Sequence, residues 1–326
     1  MTDMARRNSS RNRSGTLSFL TPLLLILLCA TLSVVFAKRI SHSVQSALLL
    51  LSNVIIPSVF PFMILSDLLY AYLDFSSLKR TNKAFHRLFG TNPLGLYPFV
   101  LGALCGFPLG VKCVRDIYVS GGITKKEAEL LIGFCNNTGP AFLIAGVGAG
   151  LRKSTTDGII LYVSMLLSAI CVGVIFAHRT PEEYCKQHIK PEYKYSLTAS
   201  IKNAGFATLN VCSYLTFFAC VVGMLRGVIG ESYPYLALIP FIEIGSASSI
   251  LSKTLLLPKN ISLLMTAFAT GFSGISVHLQ ALSHLSGCDL SHKKYFMMKL
   301  VQGVICTLIC FLISVCVSII KSSSMI

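Results

Sequence analysis

The sequence predicts an all-α polytopic membrane protein of two inverted repeats, each with a broken helix region of re-entrant or hairpin type. Three observations lead there. The chain is 53% hydrophobic and only 13% charged, with a mean hydropathy of +0.70, outside the range of soluble globular domains. Several apolar runs reach the roughly 20 residues that a helix needs to cross the hydrocarbon, and none alternates as a barrel strand would. Helix breakers also recur at matched positions. Gly110 and Gly139 are 29 residues apart, as are Gly245 and Gly274, and an offset of 135 superposes the pairs and sets Thr138 on Ser273. Interrupted apolar segments at corresponding places in two halves are the best sequence pointer to a transport site.

In chain order, residues 1–16 are polar, basic and rich in Ser and Asn, which predicts a disordered tail. The first repeat covers 17–177. Its first span is Leu17–Ala37, too long for a signal-peptide core and therefore read as retained. Val44–Leu73 follows, and its Pro57 and Pro61 remove backbone donors and should bend it. Residues 93–151 are apolar but interrupted, and Gly158–Ala177 closes the repeat. Residues 178–202 are the longest charged stretch and serve as the linker. The second repeat, 203–322, holds Ala204–Val228, an interrupted region 233–286, and Leu300–Ile320. Arg6, Arg7, Arg11 and Arg13 place the N-terminus inside, and Lys79, Arg80, Lys83 and Arg87 fit the same side. Lys38 and Arg39 fall opposite and count against that orientation.

The net charge of +15 does not point to nucleic acid, because the basic residues sit at segment ends and in loops, as in membrane proteins. Of the twelve cysteines most lie inside apolar spans, and none forms Cys-x-x-Cys. They read as small buried hydrophobes, with no metal site. No nucleophile–base pair or phosphate loop is present, so the chain is read as a non-enzyme without a cofactor. Its partners are the lipid bilayer, a small anionic solute and a coupling proton or Na+; an oligomer stays open.

The breaks near 106–110 and 136–140 carry the first half of the site. Thr124-Lys125-Lys126-Glu127 is a capping box, so a helix should start at Lys125 and end near Asn136-Asn137. Pro140 cannot continue that helix but suits the first turn of a new one, with Gly139 or Thr138 as its cap. The unpaired amides there offer a place for a carboxylate, and Asn136 and Asn137 add donors and acceptors. Gly106-Phe107-Pro108-Leu109-Gly110 is the earlier break. Lys112 follows it, with Asp116 four residues on, so the two can pair on one helix face; Lys112 either snorkels to water or counters an anionic substrate.

The breaks near 243–246 and 271–274 carry the second half. Glu243 stands alone in apolar sequence between Ile242 and Ile244, and an ionisable group there is a functional hypothesis by default. It is assigned to a coupling proton or cation, or to substrate. Ser246 and Ser273 flank the two breaks, and His278 and Gln280 follow the second. His278 is the lesser candidate, since a lone histidine on an apolar face is commonly structural.

Three runs, Gly106-Phe107-Pro108-Leu109-Gly110-Val111-Lys112, Gly122-Ile123-Thr124-Lys125-Lys126-Glu127-Ala128 and Phe134-Cys135-Asn136-Asn137-Thr138-Gly139-Pro140, resemble the YlbJ-type sporulation integral membrane proteins. These belong with the nucleoside-recognition (Gate) domain proteins. The likeness is strong over residues 100–150 and loose elsewhere. It implies a fold similar to concentrative nucleoside transporters, a place in the forespore membrane, and passage of dipicolinic acid during endospore formation. The expected function is therefore a transporter or facilitator of a small anionic, ring-containing solute. A non-transporting scaffold of a sporulation complex, or a carrier of a nucleoside-like solute, is the alternative.

Overall fold

The computed structural model describes residues 20–72, 83–177 and 196–323. The predicted tail 1–16 and most of the linker lie outside these. Among the described residues the chain is helical, with no strand. Four helical stretches among the described residues are long and apolar enough to cross a membrane: Thr155–Ile175, Leu197–Ile229, Lys259–His284 (interrupted at Ser273) and His292–Ile320; a bent fifth makes five. The chain is an all-α integral membrane protein.

The bent pair is α1, Leu20–Val35, and α2, which begins at Ala37; they meet at 86°. The predicted straight span Leu17–Ala37 is thus cut at Phe36, and Lys38 and Arg39 fall in the first turn of α2. Helix α2 (Ala37–Leu50) widens into a π turn over Leu51–Ile55 and continues as α3 (Ile56–Tyr72). The π turn ends just before Pro57, whose missing N–H already interrupts the regular ladder. A short α4 (Lys83–Phe89) leads to α5 (Leu96–Cys105), α6 (Leu109–Val119) and α7 (Lys125–Cys135). Helix α8 (Ala141–Arg152) has the wider π form, and α9 (Thr155–Ile175) closes the half.

Ser196 caps α10 (Leu197–Ile229) by accepting from the Ala199 amide at 3.2 Å. Residues 197–202 are therefore helix, where the sequence reading had extended the linker; a good cap and an uninterrupted run outweigh Lys202. Then come α11 (Tyr233–Ile242), α12 (Ile244–Lys253), α13 (Lys259–Phe272), α14 (Gly274–His284) and α15 (His292–Ser323). Helix α15 starts eight residues before the predicted span and packs along α13, α9 and α7. Small residues allow that approach: a Cβ on Gly271 would come 2.7 Å from Gln302 O, and one on Gly133 2.4 Å from the Met298 side chain. Close backbone packing of this kind is how membrane helices associate.

Two apolar clusters hold the described molecule. The first centres on Phe85, Phe89, Phe99 and Phe134, whose rings lie 4.6 to 6.4 Å apart. The second joins α8 and α9 to α11–α13. At one end, Asp289 in the α14–α15 loop takes Lys125 at 2.8 Å and Tyr118 at 2.7 Å. Those two bonds, that of Lys125 first, hold the exposed Asp289 carboxyl below its ordinary range.

Candidate functional site

The first pair of breaks is built backbone on backbone. Helix α5 stops at Gly106, whose φ of +85° favours glycine. A Cβ there would sit 2.8 Å from Gly139 N, while one on Gly139 would sit 3.2 Å from Cys105 O. The carbonyl that ends α7, Cys135 O, lies between Gly102 and Gly110, where Cβ atoms would come within 1.8 and 1.9 Å of it. The break itself covers Gly106–Pro108. Gly110 lies in the first turn of α6, so its role is close approach. The capping box is present: Glu127 accepts from Thr124 N at 2.8 Å, and Thr124 Oγ1 accepts from Glu127 N at 3.3 Å. Helix α7 ends at Cys135, as its sequence predicts. No side chain caps the helix that starts at Pro140.

The second pair repeats the arrangement. Glu243 is extended between α11 and α12 and caps α12, accepting from Gly245 N at 2.6 Å and from Ser246 N. Ser273 and Gly274 adopt φ of 81° and 77° between α13 and α14. A Cβ on Gly274 would lie 3.1 Å from Ile242 O and 3.2 Å from Glu243 N. Gly245 and Ser246 are in α12, so this break is narrower than 243–246, and Gly271 is still in α13.

The breaks of the two halves meet. Thr138 Oγ1 donates to Thr270 O at 3.5 Å. One cavity is lined by Gly106, Phe107, Thr138 and Gly139 from the first half and by Glu243, Gly245 and Gln280 from the second. A neighbouring cavity shares Glu243 and Gly245 and adds Ser246, Ser249 and Lys253. A third continues past Ser246, Ser249 and Lys253 to His42 and Arg226, and a fourth opens at Lys38, Arg39 and Arg226. The string runs from the buried Glu243 to a basic mouth, where the acid Glu231 already pairs with Arg226.

Other predicted site residues stand behind the cavity. Asn136 and Asn137 are buried, and their side chains serve the protein itself. Asn136 Nδ2 donates to Tyr295 Oη at 2.9 Å, Asn137 Nδ2 to Phe134 O at 2.7 Å, and Asn137 Oδ1 accepts from Gln302 Nε2 at 2.9 Å. His278 Nδ1 lies 3.2 Å from Tyr295 Oη, with its ring against Phe272 and Phe296. The Ser273 hydroxyl and the Asn136 Oδ1 are buried without a hydrogen-bond partner. Lys112 does not pair with Asp116. It pairs with the buried Asp67 of α3, and Asp116 takes Arg115 at 3.1 Å. An acid on a facing helix, inside a low-dielectric interior, outcompetes the one a turn away.

Sequence reasoning missed three residues of α15. Tyr295, Lys299 and Gln302 share one face at helical spacing and receive the break at 136–137. Lys299 Nζ donates to Asn136 O and to Gln302 Oε1, both at 2.7 Å. The signal was available, because 295, 299 and 302 follow the i, i+4, i+7 pattern.

The chain is 26% identical to the sporulation integral membrane protein YlbJ of Bacillus subtilis (strain 168), over 77% of this chain and 72% of that protein. No family model matches it, and no solved structure does.

Proposed function

Since the chain belongs with the YlbJ-type sporulation integral membrane proteins, we propose that it carries a small anionic, ring-containing solute across the membrane, with dipicolinate as that solute. The supporting observation is the shared cavity, where one break from each half converges beside an uncapped helix start. Pro140 has no N–H to give, but the amides of Ala141 and Phe142 in the first turn suit a carboxylate. Phe107 and Phe142 offer apolar faces to a flat ring, and the basic mouth favours anions. Glu243 faces the same cavity. A second anion entering beside it is disfavoured unless the carboxyl takes a proton, which makes a proton the coupling ion. One half rocks against the other, as in transporters built from inverted repeats.

The test is uptake of labelled dipicolinate by proteoliposomes. The parent accumulates label. Thr138→Val, which removes only the hydroxyl, lowers uptake about tenfold. Glu243→Gln removes the dependence of uptake on a pH gradient. Parent-like uptake by both variants places the site elsewhere. A parent that moves a labelled nucleoside instead keeps the site and changes the solute, whereas a parent that moves neither leaves a scaffold.

A further inference from the structure

Lys299 is fully buried in a membrane helix, and among the described residues no carboxylate pairs with it. Such a group is costly and calls for a compensating arrangement. Its surroundings supply one. Nζ sits at the C-terminal end of the interrupted helix α7, where unsatisfied carbonyls give a partial negative charge. Both of its partners are oxygens, the main-chain Asn136 O and the side-chain Gln302 Oε1. Gln302 is in turn fixed by Asn137 through its Nε2. A carbonyl from an unwound helix end and a neighbouring amide oxygen are the ligands with which broken-helix transporters hold Na+, and hard monovalent and divalent cations take such oxygens generally. Lys299 does not line the solute cavity, so it does not face solute from there.

We propose that the Lys299 ammonium is a tethered cation, standing where a free monovalent metal ion would otherwise bind and holding the 136–137 break in shape without one. Lys299 is thus a positioning residue, and the protein needs no Na+ to assemble its site. The role is independent of which solute the cavity takes.

The experiment is thermal melting of the purified full-length protein in NaCl, KCl and choline chloride at equal ionic strength. The parent melts at the same temperature in all three. Lys299→Ala melts at least about 5 °C lower in choline and recovers in NaCl or KCl, because the vacated oxygens accept the metal ion. Lys299→Met, which fills the space, stays low in every salt. Gln302→Glu, which gives the ammonium a carboxylate but loses the Nε2 bond to Asn137 Oδ1, melts at one temperature in all three salts. Stabilisation of the parent or of Gln302→Glu by Na+ over choline overturns the proposal, as does a Lys299→Ala loss that no cation restores. If the alanine and methionine variants do not fold, the parent and Gln302→Glu arms still decide. Every arm reads melting, so failed dipicolinate uptake by the parent overturns the transport reading alone.

Discussion

At the scale of single residues, glycine does two different jobs in this chain. Gly106 has a positive φ and abuts Gly139 N, so Gly106→Ala combines backbone strain with a clash. We expect a loss of about 2–3 kcal/mol, read as a lower melting temperature. Gly205, inside α10, has nothing within 4 Å of where a Cβ would stand. Gly205→Ala should therefore be neutral or stabilising, by up to about 1 kcal/mol. Equal effects at the two positions would remove the argument from close backbone approach. Sequence spacing found Gly110, Gly139, Gly245 and Gly274, and the run Gly106–Gly110 added Gly106. It could not separate Gly106 and Gly274, which turn the chain, from Gly110 and Gly245, which sit in first helical turns, because both uses select the same missing side chain.

At the scale of elements, the start of α7 was legible and the pairing of α6 was not. The capping box spans four consecutive residues, so the local sequence defines it. The fold adds one bond: Glu127 Oε1 also accepts from Asn92 N at 2.7 Å, 35 residues away. Glu127→Ala removes the reciprocal half of the capping box, the bond to Thr124 N, and leaves the buried Asn92 amide unbonded. Its expected cost is about 2–3 kcal/mol, measured by melting, and a cost near zero would mean that water replaces both bonds. Lys112 shows the opposite case. A local rule pointed to Asp116, but its partner, Asp67, lies on another helix 45 residues earlier. Asp67→Asn should destabilise more than Asp116→Asn, since only the first leaves the half-buried Lys112 without its partner; a larger loss for Asp116→Asn would contradict this pairing. The polar face of α15 was hidden differently. Lys299 stands just before the strongest apolar run and reads as an ordinary charged flank, until the start of the helix at His292 puts it inside.

At the scale of the whole molecule, the offset of 135 places the Gly139 break on the Gly274 break and the first turn of α6 on that of α12. What the sequence could not supply was the contact between halves, because Thr138 and Thr270 are joined only by tertiary packing. The mouth likewise emerges only in space. Lys38 and Arg39, awkward for a simple orientation rule, sit with His42 and Arg226 at its rim, and Arg39 Nη1 donates to Arg226 O at 2.7 Å. Lys38→Gln should raise the half-saturating dipicolinate concentration more than it lowers the maximal rate, with the difference fading at high salt. A purely maximal-rate effect would contradict a steering role.

The central claim is that the cavities joining this mouth to Glu243 form a solute path. Its most direct test is labelling of Ser249→Cys, in a chain whose native cysteines are replaced, by a membrane-impermeant thiol reagent. The residue should react from the face of Lys38 and Arg39 only, and dipicolinate should slow the reaction. A thiol that does not react from either face, or one that reacts at the same rate with and without dipicolinate, would contradict the path.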